Sequence, residues 1–260
     1  GFLMDNEFDV IFTHLTFHKH HKLDDILGVF DAVRSYFDTK VIHTMQDARE
    51  EPRYKGDISN FFDLALVNQT ENISKFQKYW KIPVYYWPYS SMTYNTMGEY
   101  DKSLDFGVPV FPGGEFTHED RSRFIKMLRG KIPIKLIGTR SREDIRESTQ
   151  NFSVSSPCVL GLSTRYDWKI GGYIDVRPWQ YGGAGSIMIC RPHKIQEQLI
   201  PSKLYYTINN YNQTGVKQVI SHWERIKRLS DTKKQQTREN IFNFIQQNIL
   251  LMLGWSKHLN

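Results

Sequence analysis

Gly172 to Lys194 reads GYIDVRPWQYGGAGSIMICRPHK. An arginine, an aromatic cluster and three glycines precede an apolar run that closes on Arg191-Pro192-His193. The order predicts a helix starting near Asp175, then a glycine-rich turn, then a buried strand over SIMICR. A helix so placed aims Arg177 and its first free N–H groups at one spot, while Gly182, Gly183 and Gly185 allow a ligand to approach the main chain. That arrangement suits a phosphate-bearing ligand. The same glycines also read as a helix C-cap and tight turn with no ligand role.

Working outward, the first part of the chain alternates short apolar runs with stretches of helical length: DVIFTH, Leu23 to Phe37, KVIHTM, a polar helix, DLALV, a helix near Thr70 to Trp80, and PVYYW. Strands separated by helices imply right-handed βαβ units and a parallel sheet. In such sheets ligands lie outside the carboxyl ends of the strands, which here carry His14, Gln46 and Asp47, Asn68 to Thr70, and Tyr89 and Ser90. The polar stretch from Ser91 to Asp105 lacks periodicity and reads as an interdomain linker. Beyond it FGVPVF, the helix His118 to Arg129, PIKLIG, SPCVLGL and SIMICR repeat the alternation. The tail reads as helical: IQEQLI, Gly215 to Leu229, and Lys233 to Leu253 with Ile241, Phe244, Ile245 and Asn248 three or four apart. The expected architecture is therefore α/β, with a Rossmann-like domain over 1–95, a second over 106–260, and helices at the end. No internal repeat is visible.

The 260 residues, 40% hydrophobic and 14% aromatic, suffice for two modest domains with packed cores. Net charge is +6, but Lys and Arg are scattered and interleaved with acidic residues. That balance fits a phosphate-bearing ligand better than duplex binding, and no nucleic-acid partner is expected. Cys158 and Cys190 sit in apolar runs without CxxC spacing and read as buried, reduced thiols. No signal peptide or apolar run of about 18 residues is present, so neither a membrane span nor use of the Asn68, Asn72, Asn151 and Asn212 sequons is expected, and the protein is placed in the cytoplasm. Gly1 at the start suggests a tag scar or a domain of a longer polypeptide.

The glycine-rich segment resembles the donor motif of GT-B glycosyltransferases, in particular glycosyltransferase family 4. That motif reads roughly G-Y-x-S-x-R-x-Y-E-x-L-x-x-G-G-x-x-L-x-x-R. Gly172, Tyr173, Arg177, Gly185 and Arg191 fall on it, and Gln180 stands where the family carries the Glu that holds the donor ribose. An amide bonds a hydroxyl but carries no charge. The likeness extends to the strand ends Phe12-Thr13-His14, Gln46-Asp47, Val67-Asn68 and Trp87-Pro88-Tyr89, and implies a compact GT-B chain with an abbreviated N-terminal domain. In size and texture the chain also resembles the small glycosyltransferases of large algal DNA viruses, which would place it in host cytoplasm.

The resemblance implies a nucleotide-diphosphate sugar donor of UDP or GDP type in the second domain and an oligosaccharide acceptor in the first. GT-B enzymes stabilise the leaving diphosphate with basic side chains and helix N-termini, so no metal or other cofactor is expected. Arg165, Lys169 and Arg177 are the candidates for that role, with Gln180, Tyr181, Gly182 and Gly183 completing the donor motif. Gly114, in FPGGEF between a strand and a helix, reads as phosphate-facing backbone or as a plain turn. Arg140, after the PIKLIG strand, is placed near the donor base by the resemblance. Asp47 is the first candidate for general base and His14 the second; Asp47 also reads as a helix N-cap. His18, His20 and His21 lack the spacing and carboxylate partner of a metal site. Tyr85, Tyr86, Trp87 and Tyr89 suit either sugar stacking or the core. The leading reading is a glycosyltransferase moving a sugar such as rhamnose or xylose to a glycan hydroxyl. The other is a non-catalytic carbohydrate- or nucleotide-binding module of a larger enzyme.

Overall fold

Apolar and β-branched runs of three to six residues form the strands, and the longer amphipathic stretches between them form helices. The computed structural model describes residues 8–13, 23–45, 52, 54–87, 97, 106–109, 119–137, 158–163, 172 and 177–254. The chain divides into two units, Gly1–Tyr89 with Ile170–Ile174, and Ser90–Lys169 with Asp175–Asn260. The segment 91–105, read as a linker, lies outside the described residues except for Met97.

In the first unit β1 (Val10–Thr13), β2 (Lys40–Met45), β3 (Leu64–Val67) and β4 (Val84–Tyr86) form a parallel sheet in that order. Each strand is added on the same side of its predecessor, so right-handed crossovers bring every connection to one face. Accordingly α1 (Leu23–Phe37), the loop before β3 and α2 (Ile73–Trp80) share one core, built from Leu27, Phe30, Ile58, Phe62, Phe76 and Trp80 over Val41, Ala65 and Val67. Buried His43 completes that core, its ring centroid 5.2 Å from that of Phe62 and 5.3 Å from that of Trp80. On the opposite face Val10, Phe12 and Tyr85 are exposed.

The polar helix expected before β3 is absent from residues 57–62, which form turns. Asp57 Oδ1 accepts from Ser59 N–H at 2.9 Å, a local bond that competes with helix. Ile58 and Phe62 then plug the core. Arg34 of α1 holds the loop by donating to Ser59 O at 3.0 Å and Asn60 O at 2.6 Å, and it pairs with Asp63 Oδ1 at 2.9 Å. The other Asp63 oxygen accepts from Val41 N–H at 2.7 Å, which ties helix, loop and strand together.

The second unit contains β5 (Phe106–Pro109), β6 (Ile134–Ile137), β7 (Cys158–Gly161), β8 (Ile187–Cys190) and β9 (Tyr205–Thr207), all parallel, in the order β6-β5-β7-β8-β9. Its helices are α3 (Glu119–Leu128), α4 (Arg177–Gly183), α5 (Lys194–Leu199), α6 (Gln213–Lys227) and α7 (Asp231–Gly254). β9 corrects the all-helical reading of the tail: Tyr205-Tyr206-Thr207 is a three-residue strand behind a 3-10 turn, too short for a periodic signal. Strands β7 and β8 are buried along their length, as expected of central parallel strands covered on both faces. Leu160, Leu162 and Ile189 pack with Phe124, Ile125 and Leu128 of α3 and with Val216, Val219 and Trp223 of α6. Asn212 caps α6 by accepting from Gly215 N–H at 3.1 Å. Cys158 and Cys190 are buried thiols, and burial pushes the Cys158 thiol well up.

The helix predicted from about Asp175 begins at Arg177 and runs through Gly182 and Gly183. Ser186 N–H bonds Tyr181 O at 2.9 Å and Gly185 N–H bonds Gly182 O at 2.9 Å, the paired bonds of a Schellman cap. Gly185 supplies the left-handed residue, with φ at 75°. Its carbonyl accepts from Nε of fully buried Arg238 at 2.9 Å, which fastens the cap to α7. Gly182 faces the same helix, and a Cβ there would lie 3.1 Å from Ile241 and Ile245 side-chain carbons.

Candidate functional site

The order β6-β5-β7 reverses the direction in which strands are added. β6 lies to one side of β5, whereas β7, β8 and β9 extend on the other. Such a switch point opens a crevice outside the carboxyl ends of the strands on either side of it. The described residues at that rim are Leu162 and Ser163 after β7, and Arg191 to His193 after β8.

Ser163 and Arg191 border a small recess of about 10 Å³ between β7 and β8, lined also by Gly161, Pro178, Tyr181, Cys190 and Gln196. His193 Nε2 lies 2.9 Å from Ser163 Oγ, and both side chains are buried. This bond joins the turn after β7 to the N-cap position of α5. Gln196, in the first turn of α5, donates from Nε2 to Cys190 Sγ at 3.5 Å and holds the floor. Arg121 of α3, also buried, donates from Nη1 to Leu162 O at 3.2 Å. A cation, a hydroxyl–imidazole pair and the start of α4 therefore come together at the rim of one sheet. A ligand at this rim would meet the Ser163 hydroxyl and the first turn of α4, with Tyr181 as an apolar wall.

Of the residues singled out from sequence, Tyr181 lines this recess and Arg177 is the first residue of α4. Gln180 is buried in the same helix, and its carbonyl accepts from Ala184 N–H at 3.2 Å. Gly182 and Gly183 occupy the last turn of α4, where Gly182 meets α7. His14, Asp47, Gly114, Arg140, Arg165 and Lys169 lie outside the described residues. In the first unit Gly172 O accepts from Thr70 N–H at 3.1 Å, and a Cβ on Gly172 would collide with the Thr70 hydroxyl and the Glu71 nitrogen. The leading glycine of the motif is thus required by a close main-chain approach.

Ser163, His193 and Arg121 are the residues that sequence reasoning passed over. Arg121 had a legible signal, because it stands three, four and seven residues before Phe124, Ile125 and Leu128 and so on the buried stripe of its helix. An arginine there must find a partner inside. The Ser163–His193 bond spans 30 residues and leaves no mark in local spacing.

Among the described residues no three His, Cys, Asp or Glu side chains are grouped to hold a metal ion, and no helix is long and apolar enough to cross a membrane. No protein-family model and no curated protein sequence matches the chain. Solved structures do match it in fold. T4 phage β-glucosyltransferase in complex with UDP and Mn²⁺ superposes with a TM-score of 0.56 at 11% identity, over 98% of this chain and 82% of that one. Sucrose-phosphate synthase from Thermosynechococcus elongatus gives 0.52 at 12% identity, over 96% and 73% of the two chains. A glycosyltransferase from Rickettsia africae gives 0.50 at 10% identity, over 94% and 76%. These neighbours are GT-B glycosyltransferases, and the chain shares their α/β fold.

Proposed function

We propose that this protein is a glycosyltransferase that takes its sugar from a nucleotide-diphosphate donor bound at the carboxyl rim of the second unit. The observation that carries this reading is the carboxyl rim beside the switch point, where the Ser163–His193 bond adjoins a small recess lined by Ser163, Tyr181 and Arg191. The GT-B fold supports it, as does the donor motif from Gly172 to Arg191.

Transfer requires that negative charge developing on the leaving diphosphate be met as the sugar–oxygen bond breaks. Arg165, Lys169 and Arg177 are assigned to that charge, Gln180 to the ribose, and Gly114 and Arg140 to the phosphates and base. The acceptor hydroxyl loses a proton as it bonds the anomeric carbon. Asp47, or failing it His14, is assigned to receive that proton if the reaction inverts configuration. The donor is proposed to be of UDP or GDP type, and the basic side chains are proposed to suffice without a metal.

The test is a thermal-shift panel of UDP, GDP, ADP and dTDP with their sugar conjugates, run in EDTA and again in Mn²⁺. A ligand that binds only the native state raises the melting temperature. A shift with one nucleotide series in EDTA, followed by turnover of its sugar conjugate, supports the proposal. A shift only in Mn²⁺ overturns metal independence, and silence throughout favours a binding module.

A further inference from the structure

On its own α4 would not hold its shape. It has seven residues, whereas an isolated helix needs about 12 to 15 even with favourable residues. Gly182, Gly183 and Gly185, in and just after its last turn, add backbone entropy that folding must overcome. Its order therefore comes from its neighbours, and α7 supplies it along one face. Arg238, Ile241 and Ile245, three and four residues apart on that helix, are fully buried. The two isoleucines pack on Gly182, and Arg238 Nε donates to Gly185 O at 2.9 Å. Met97 also closes on Gly185, where a Cβ would collide with its Cγ and Sδ.

Arginine is an informative choice at 238. A cation suits the negative end of a helix, and a charge-assisted bond to a cap carbonyl is a strong one. Yet a guanidinium is costly to take out of water, and an apolar side chain of similar volume is often as stabilising or more so. Stability alone therefore does not select it. What arginine adds is a directional bond that fixes the tilt and rotation of α4 against α7. At about 1.5 Å per residue α4 is about 10 Å long, so a tilt of about 6° at its cap moves the backbone of Arg177 by about 1 Å. A displacement of about 1 Å can cost about a hundredfold in a reaction that depends on placement.

We infer that Arg238 is a positioning residue: its bond to Gly185 O fixes α4 and thereby sets the affinity for the nucleotide diphosphate. The second half of that statement rests on the proposed transferase function, in which Arg177 and Gln180 of α4 hold the donor. Arg238 is fully buried and acts only through the helix.

Hydrogen exchange of the segment 177–190 reads the first half, and isothermal titration with UDP, GDP, ADP and dTDP reads the second. The reporters are the Ala184, Gly185 and Ser186 amides, which close the cap on the Gln180, Gly182 and Tyr181 carbonyls. Arg238→Met keeps most of the stem and removes the donor, whereas Arg238→Lys keeps a cation able to donate to the same carbonyl. Ile226→Ala is the control, because it removes a buried side chain from a core that contains no residue of α4. Relative to that control, Arg238→Met should exchange the cap amides about tenfold or more faster and bind the nucleotide about tenfold or more weakly, with Arg238→Lys between it and the wild type. Should Arg238→Met fail to fold, Arg238→Lys carries the comparison, with an expected effect of about threefold on each readout. Exchange and affinity no more affected than in Ile226→Ala overturn the inference. Faster exchange with unchanged affinity overturns the link to the donor. If the wild type binds none of the four nucleotides, the transferase reading falls and takes that link with it, while exchange alone decides whether Arg238 anchors α4.

Discussion

His193 Nε2 and Ser163 Oγ are 2.9 Å apart in a buried environment, and they connect the end of β7 to the start of α5 across the floor of the recess. A bond of this kind orders the rim before any ligand arrives, which is what a site needs if binding is not to be spent on fixing loops.

Ser163→Ala and His193→Ala should each cost about 1 to 3 kcal/mol of stability, since each leaves the other group buried without its partner. The double variant should cost less than the sum of the two. Denaturant titration of the three variants measures that coupling. If the recess is the donor site, nucleotide affinity should fall in step. Additive stability losses with unchanged nucleotide binding would remove both residues from the site.

Arg121 makes a different demand, because a buried guanidinium must remain paired. Arg121→Met keeps the stem and removes the charge, whereas Arg121→Lys keeps the charge and loses the planar fork that reaches Leu162 O. Both should lower the melting temperature, Arg121→Lys by the equivalent of about 3 kcal/mol or more if its ammonium is left buried and unpaired. Arg121→Met should cost less, since an apolar side chain tolerates that stripe. Calorimetry of the pair decides the order, and a Lys variant as stable as wild type would contradict it.

The C-cap of α4 gives a test that involves stability alone. Gly185→Ala forces a Cβ onto a residue with φ at 75°, and the left-handed conformation costs about 1 to 2 kcal/mol for a residue with a side chain. Gly182→Val should be worse, because its branches must enter a gap already only 3.1 Å from Ile241 and Ile245, and overpacking of this kind costs about 1 to 3 kcal/mol. Melting temperatures should fall by several degrees in both. A stable Gly182→Val with impaired nucleotide binding would return that glycine to a ligand role.

Much of the fold was legible from short β-branched runs and longer amphipathic stretches: the strand Lys40–Met45 and the helix Leu23–Phe37 coincide with the elements read from sequence. The failures have physical causes. β9 is three residues long, and its place beside β8 is set by long-range pairing. Asp57 and Ser59 form a local bond that stops a helix where polar residues alone had suggested one. The site divides in the same way. The stretch that resembles a donor motif could be quoted from the sequence because its glycines and arginine are close together, whereas Ser163, His193 and Arg121 come from three separate parts of the chain.

The assignments of Arg177 and Asp47 yield the most direct tests of the proposed chemistry. Arg177 begins α4, where a cation adds to the positive end of the helix and would be costly without an anion nearby. Arg177→Ala should therefore leave stability unchanged or slightly improved while donor affinity falls by about tenfold or more, as expected for a lost charge-assisted bond. Asp47→Asn should abolish transfer in an inverting enzyme without weakening donor binding, because the amide fills the same space but takes no proton. Isothermal titration with the nucleotide found by the thermal-shift panel, paired with turnover of its sugar conjugate, separates the two roles. A fully active Asp47→Asn variant would pass the base to His14, or point to retention of configuration, and unchanged donor affinity in Arg177→Ala would remove that arginine from the diphosphate.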